Sequence, residues 1–379
     1  MTTYSAVVTT GIYCRPGCGA RPLARNVRTF DLAAAAEAAG FRACQRCRPY
    51  RVAGPVGSSA PEIVCEAVQL IIGGALDDGG TEAALASQIG MSQRHLRRLF
   101  LKHLGASPDQ LARSRRAHFA RRLLDDTDLA IGEIAFASGF GSLRQFNRAM
   151  REVFRSSPSD LRDRRRRSDR LAADGGLALR LPVEPGYDWA AARSALAASA
   201  IPGVATAGEQ DYRRVITMAG EPGLIEVSPG GRDGGQDCLL LRVHLPYWEG
   251  LIHVVDRIGR LLGIDADHAV APGWTSFEAG VCDILAGSER SEPGLLAAFV
   301  DRLGTAVPGL PAGLTHAFPD PSAVTEQSLK ATGLPETEAA AIAVLAQTCN
   351  AGEIPDPPSG QWRPWLALAR TDLMGAALR

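Results

Sequence analysis

The stretch Ile12-Tyr13-Cys14-Arg15-Pro16-Gly17-Cys18, answered twenty-five residues later by Cys44-Gln45-Arg46-Cys47, organises the start of this chain. Its thiols form two close pairs, C-x3-C and C-x2-C. Two such pairs joined by a small folded insert are the ligand set of a tetrahedral Zn2+ site. Zinc-bound sulfur is thiolate, the nucleophilic form of cysteine, so such a site either holds a fold or also does chemistry. Spacing alone favours the structural role. Thr9-Thr10-Gly11-Ile12-Tyr13 predicts a short strand that delivers Cys14, and Arg15-Pro16-Gly17 a turn that returns Cys18. Asp31 predicts the N-cap of a helix over residues 32–39, and Gly40 its stop. A segment this short builds little core, so the metal is expected to supply most of its folding free energy.

The charge balance changes along the chain. The total is zero, with 41 basic and 41 acidic residues. Residues 1–59 nevertheless carry 8 arginines against 2 acids, and residues 60–170 carry 19 basic residues against 14 acids. Residues 171–379 carry 14 against 25. The first 170 residues are thus able to meet a phosphate backbone, and the rest are not. Arg15, Arg21, Arg25, Arg28, Arg42, Arg46, Arg48 and Arg51 are expected to surround the metal site. No uncharged apolar run reaches the roughly 18 residues a membrane span needs. The remaining cysteines, Cys65, Cys238, Cys282 and Cys349, are scattered, which excludes a disulfide framework and fits a reducing cytoplasm.

Residues 60–162 contain two similar units about fifty positions apart, and the repeat spacing defines one all-α domain. Ala83 to Ser92 followed by Gln93-Arg94-His95-Leu96-Arg97-Arg98-Leu99-Phe100 is the first. Ile131 to Ser142 followed by Leu143-Arg144-Gln145-Phe146-Asn147-Arg148-Ala149-Met150 is the second. Each has a short helix rich in small residues, a glycine turn (Gly90, Gly139), a serine N-cap (Ser92, Ser142) and an arginine-rich amphipathic helix. This is the pattern of a helix-turn-helix, in which small residues let two helices cross closely. Leu96, Leu99 and Phe100, and Leu143, Phe146, Met150 and Phe154, form the apolar faces. Gln93, Arg94, Arg97, Arg98, Arg144, Gln145, Asn147 and Arg148 lie opposite, and these residue types read base edges. Two such helices on one chain enter successive major grooves about 34 Å apart. Arg162 to Arg170 is either a solvated spacer or a further set of phosphate contacts.

Three resemblances follow from these motifs. Thr9-Thr10-Gly11-Ile12-Tyr13-Cys14-Arg15-Pro16-x-Cys18, with Ala39-Gly40-Phe41-Arg42-x-Cys44-x-Arg46-Cys47-Arg48-Pro49, resembles the N-terminal domain of the Ada DNA-alkylation response family. The resemblance implies that Cys14, Cys18, Cys44 and Cys47 hold Zn2+ and that Cys14 accepts a methyl group from a DNA methylphosphotriester. It implies that Arg21 and Arg42 position phosphates, with Arg46 in the same basic surface. Gly17 and Gly19 stand where the family more usually has Ser and Pro. Residues 60–162, ending Ser156-Ser157-Pro158-Ser159-Asp160-Leu161-Arg162, resemble the AraC-type DNA-binding domain.

The last part is similar to AlkA-type 3-methyladenine DNA glycosylases. Tyr187-Asp188-Trp189, Ile201-Pro202-Gly203-Val204, Tyr212-Arg213-Arg214 and Leu261 to Asp267 match the family's first subdomain, a small sheet with two helices. Strands are predicted at 177–181, 212–218, 223–227 and 239–243, and helices up to about 200 and over 253–262. Pro272-Gly273-Trp274-x-x-Phe277-Glu278 opens the helical domain, and Leu334-Pro335 to Ala346 and Trp362-Arg363-Pro364-Trp365 match late segments. The family's helix-hairpin-helix and catalytic aspartate have no room between Pro355 and Trp362. Val307 to Gly313 imitates that hairpin out of order and reads as a proline-rich loop. Asp320 and Asp372 fall at the wrong places for the catalytic acid, so the resemblance implies a glycosylase catalytic Asp is absent.

The expected fold class is therefore α+β and multidomain: a zinc α/β module (1–52), a double helix-turn-helix domain (60–162) and a basic linker (163–176). An AlkA-like α+β subdomain (177–268) and a truncated helical domain (269–379) follow. The expected function is a methylation-responsive transcription regulator bound to double-stranded DNA and to RNA polymerase, cytoplasmic and nucleoid-associated. The alternatives are a bifunctional Ada–AlkA repair protein with active glycosylase, and an AraC-like regulator with a ligand-binding C-terminal domain. No Pro-Cys-His-Arg acceptor occurs in the sequence, so O6-alkylguanine repair is not expected.

Overall fold

A computed structural model of the chain describes residues 3–51, 60–77, 79–173, 175–233, 236–264, 273–286 and 294–352. The matches read at Trp362-Arg363-Pro364-Trp365 and Asp372 lie outside these residues. The structure divides into two compact units. One comprises Met1–Pro185 with Gly230–Leu239 and Tyr247–Asp256; the other comprises Gly186–Pro229, Leu240–Pro246 and Arg257–Arg379.

The first unit begins with a four-stranded sheet of order β3-β1-β2-β4, built from β1 (Tyr4–Val7), β2 (Ile12–Cys14), β3 (Val27–Phe30) and β4 (Arg42–Ala43). β2 pairs antiparallel with β1, Ser5 facing Cys14, and parallel with β4, Tyr13 facing Ala43. Thr9 to Gly11 form a turn and not the start of β2. The turn uses Gly11 at φ +64, and its amide donates to the Val7 carbonyl. α1 (Ala33–Ala38) starts without a side-chain cap: Leu32 occupies the N-cap position, so Asp31 does not cap this helix. Gly40, at φ +91, ends it as expected.

Six helices follow: α2 (Glu62–Ile72), α3 (Glu82–Gln88), α4 (Gln93–Leu104), α5 (Pro108–Asp126), α6 (Ile131–Ala137) and α7 (Leu143–Phe154). Both predicted turns are present. Gly90 and Gly139 take φ +70 and +78, and the Ser92 and Ser142 hydroxyls accept the amides of His95 and Gln145. Leu96, Phe100, Phe146, Met150 and Phe154 are buried as predicted. Leu143 is not: at the first position of α7 its side chain lies outside the apolar stripe, 45% exposed. α8 (Pro158–Asp163) begins with Ser157 as N-cap and Pro158 behind it.

The arginine-rich stretch after α8 is held in place. Arg165 donates to the Thr127 carbonyl at 2.7 Å and to Asp128 at 2.5 Å, and Arg170 pairs with Asp128 at 2.5 Å. β5 (Leu177–Pro182) is anchored through Arg180, whose guanidinium meets Asp126 at 2.8 Å.

The chain continues through α9 (Trp189–Ala198), capped by Asp188, then β6 (Ala205–Ala207), β7 (Tyr212–Met218), β8 (Glu221–Asp233) and β9 (Gln236–His244). The strand order of this sheet is β5-β9-β8-β7-β6. The ranges read from sequence fall inside β7, β8 and β9; the three-residue β6 was too short to be seen. α10 (Leu251–Leu261) and α11 (Ser276–Ala286) come next, then α12 (Leu295–Leu303), β10 (Thr305–Ala306), β11 (His316–Ala317), α13 (Glu326–Lys330) and α14 (Glu336–Asn350). Val307 to Gly313 is the loop joining β10 to β11 and contains no helix, as predicted. The core of the second unit packs Phe277, Val281 and Ile284 of α11 against Phe299, Phe318, Ile342 and Leu345. Beside it lies a buried ion pair between Arg214 and Glu278, whose side chains are 3% and 2% exposed.

Candidate metal centre and DNA-reading face

β2 carries Cys14 at its last residue, and the turn after it returns Cys18. The parallel partner β4 leads directly to Cys44, whose amide donates to the Tyr13 carbonyl at 2.9 Å. Cys47 follows one turn later, where the Arg48 amide closes onto the Cys44 carbonyl at 3.0 Å. The result brings Sγ of Cys14, Cys18, Cys44 and Cys47 within 4.8 Å of one another. Four thiolates around a tetrahedral Zn2+ lie about 3.8 Å apart at Zn–S distances of about 2.3 Å, so this donor set fits zinc.

The thiols themselves call for a cation. Hydrogen bonds from Cys14 and Cys47 hold the Cys44 thiol far below the ordinary range. Hydrogen bonds with Cys44 and Cys47, together with burial, push Cys14 far above it. Crowded sulfurs cannot all ionise unless a positive charge sits among them. Cys14 is buried, and the other three are half-buried.

The arginine setting is less uniform than its count. Arg21 and Arg46 are exposed and Arg42 is half-buried. Arg46 reaches over Gly19, where a Cβ would stand 3.4 Å from Nη2. Arg28 lies 5.1 Å above the Phe30 ring. Arg48 does not join this surface. It is buried and pairs with Asp169 at 2.7 Å and Asp125 at 3.8 Å, because its backbone turns inward at φ +48.

That inward turn belongs to an interface no motif announced. Tyr50 donates to Asp125 at 2.9 Å and stacks edge-on to Phe154 of α7. Tyr13 donates to Glu37 at 2.6 Å, and His118 of α5 meets the same carboxylate at 2.7 Å. Ala34 of α1 joins the core formed by α2, α4 and α5. The zinc module therefore leans on helix-turn-helix core. The one available sequence signal was the run of alanines at 33–36, side chains small enough for one helix to lie close on another.

Gln93, Arg94, Arg97 and Arg98 of α4 are exposed, as are Arg144, Gln145 and Arg148 of α7. Some are engaged within the fold. Glu82 meets Arg97 at 3.4 Å and Gln93 at 3.5 Å, and Glu152 meets Arg148 at 2.8 Å. Asn147 is half-buried, and its amide donates to the Leu143 carbonyl of its own helix.

In the second unit, a cavity of about 310 Å3 lies between β7, α11 and the Phe318–Pro321 segment. Asp320 is on its wall, but its carboxylate accepts the amide and hydroxyl of Ser322 at 2.9 and 2.6 Å.

Three family models match along the chain. They are the metal binding domain of Ada over residues 2–50, a helix-turn-helix domain over 85–164 and the AlkA N-terminal domain over 178–274. The bifunctional transcriptional activator/DNA repair enzyme AdaA of Bacillus subtilis is 30% identical over 164 residues, covering 42% of this chain and 74% of that one. The chain belongs to the Ada family. Another relative, the Mycobacterium tuberculosis protein named "Probable bifunctional transcriptional activator/DNA repair enzyme AlkA", is 40% identical over 266 residues. That match covers 69% of this chain and 52% of the relative, so the chain spans about half of that protein's length. The Escherichia coli enzyme Ada is 38% identical over 120 residues, 31% of this chain and 32% of that one. Zn2+ is accordingly the cofactor of the four-cysteine Ada site. Among the described residues no helix is long and apolar enough to cross a membrane.

Proposed function

We propose that this protein is a methylation-responsive regulator in which Cys14 takes the methyl group of a DNA methylphosphotriester. The observation that carries the reading is the clustering of four sulfurs within 4.8 Å, on a module packed against a helix-turn-helix core. The Cys14 sulfur attacks the methyl carbon, a carbon–sulfur bond forms, and the carbon–oxygen bond to phosphate breaks. The leaving group is the ordinary phosphodiester anion, and no proton moves. Zinc supplies the thiolate form of the sulfurs at neutral pH. Arg21, Arg42 and Arg46 hold the neighbouring phosphates.

Methylation turns a thiolate into a neutral thioether. A four-thiolate zinc site carries about −2, and the methylated one about −1. Less repulsion of the phosphate backbone raises affinity for DNA. Gln93, Arg94, Arg97, Arg98, Arg144, Gln145, Asn147 and Arg148 then read a promoter, and the activator role in the relatives' names supports recruitment of RNA polymerase. The same role supports a place on the nucleoid. The proposed domains are the zinc module (1–52), the helix-turn-helix domain (60–162), the linker (163–176), the AlkA-like subdomain (177–268) and the shortened helical domain (269–379).

The acidic balance after residue 171, and an Asp320 carboxylate occupied by Ser322, support a glycosylase fold without base excision. The test is mass spectrometry of the full chain after incubation with methylphosphotriester DNA. One added methyl on Cys14, lost in Cys14→Ala, is expected; no adduct on any cysteine refutes the reading. Release of free alkylated bases by the same protein would instead establish the bifunctional alternative that the relatives' names favour.

A further inference from the structure

Tyr13, Glu37 and His118 form buried polar contacts that the methyl transfer does not use. Tyr13 is fully buried, and the Glu37 and His118 side chains are 10% and 15% exposed. The Tyr13 hydroxyl donates to Glu37 at 2.6 Å and lies 3.1 Å from His118 Nε2, which itself stands 2.7 Å from Glu37. Tyr13 is bonded at both ends. It precedes Cys14 in β2, and its carbonyl accepts the Cys44 amide at 2.9 Å. It therefore joins two sulfur ligands to a side chain of α5.

α5 leads on to both reading helices. At its start, the Asp109 amide donates to Glu82 at 3.2 Å, and Glu82 also engages Gln93 and Arg97 of α4. One turn along, Arg113 meets Glu152 at 2.5 Å, and Glu152 holds Arg148 of α7. Cys14 is only 6% exposed beside a tyrosine with no exposure at all. A methyl group added at its sulfur shifts the atoms packed around it, and close-packed interiors pass such a displacement to their neighbours.

Resting on the function proposed above, we propose that Tyr13–Glu37–His118 is a mechanical relay that carries methylation of Cys14 through α5 to the reading side chains. The change of charge at the sulfurs is then one of two components of the response. Tyr13, Glu37 and His118 are positioning residues, not catalytic ones.

The experiment uses the full chain with zinc, in wild-type, Tyr13→Phe, His118→Phe and His118→Gln forms. Each is methylated with a duplex carrying one methylphosphotriester. Affinity is then read by fluorescence anisotropy, before and after methylation, on duplexes selected from a random pool by the methylated wild type. Zinc content and methyl uptake by mass are expected to match wild type in every variant. The methylation-dependent gain in affinity falls at least about fivefold in Tyr13→Phe and His118→Phe. It returns in His118→Gln, whose amide still reaches Glu37. Full methyl uptake with an undiminished gain in both phenylalanine variants overturns the relay alone. A wild type that takes up no methyl overturns the proposed function, and the relay with it. If His118→Phe fails to fold, Tyr13→Phe, which removes one hydroxyl and keeps the ring, decides by the same measure.

Discussion

Asp125 is the residue whose removal most directly tests the interface between the zinc module and the helix-turn-helix core. It is fully buried on α5, accepts from Tyr50 at 2.9 Å and pairs with Arg121 at 2.8 Å and Arg48 at 3.8 Å. Asp125→Ala strips a carboxylate from between two guanidiniums whose side chains are 10% and 7% exposed. Arg48 keeps Asp169 at 2.7 Å, so its loss is partly made good. Arg121 keeps the neutral Leu161 carbonyl at 3.0 Å and loses its Asp125 charge partner. Removing one partner of a buried pair costs about 3–5 kcal/mol, and the lost Tyr50 bond adds about 1 kcal/mol. With Arg48 compensated, the sum stands near 4 kcal/mol. For a unit of this size that lowers Tm by roughly 8–16 °C.

Scanning calorimetry of the full chain at pH 7 reads this directly. Asp169→Ala is the comparison: it takes the nearer partner from Arg48 but leaves Arg121 paired, so its cost is about half as large. A fall below about 3 °C for Asp125→Ala refutes the account, since a pair contributing that little is solvated in the native state. Equal falls in the two variants refute the part of the reasoning that sets Arg121 above Arg48.

Replacing Cys18 with alanine, or adding a chelator, removes a zinc ligand or the zinc: metal analysis falls from one zinc per chain, and circular dichroism loses the sheet contribution of β1 to β4. Gly90→Ala and Gly139→Ala both place a side chain at positive φ, costing about 1 kcal/mol each. Gly139→Ala costs more by urea titration, because its Cβ would lie 2.9 Å from Asp77 Oδ2 whereas Gly90 faces open space. Burial raises the Asp77 carboxyl, but the His253 bond and Arg116 outweigh it and hold it below the usual range. A depressed folded value stabilises above the unfolded one, so the Asp77 contribution is present at neutral pH. It is lost as pH falls below about 4, and in acid titration Asp77→Asn narrows its gap from wild type across that window. Arg144→Ala weakens binding to the selected duplex by about 1–3 kcal/mol and relaxes preference at one base pair, read by competition with single-base variants.

The parts legible in the sequence were those whose partners lie close along it. Cys14 and Cys18, and Cys44 and Cys47, declare a metal site because tetrahedral ligation constrains their spacing. Gly90 with Ser92, and Gly139 with Ser142, declare their turns because the left-handed residue and the cap are fixed within three positions. Asp31 failed as a cap because helix start is decided by the local backbone, and the chain enters α1 from β3 with Leu32 at that position. Leu143 failed as core because periodicity does not say which apolar residue at a helix end overhangs the stripe.

What was not legible is the use to which a charged residue is put. A count of arginines treats Arg46, Arg48, Arg97 and Arg113 alike. Arg46 is exposed at the metal site, Arg48 is a buried bracket, Arg97 is held by Glu82, and Arg113 bridges α5 to α7 through Glu152. Each assignment depends on a partner 15 to 121 positions away where the fold supplies one. The positive balance of the first 170 residues is thus partly internal structure. For a protein proposed to bind DNA by losing one unit of negative charge, that matters. The fewer arginines face the duplex, the larger the share of the phosphate interaction that a single thiolate can cancel, and the sharper the response to one methyl group.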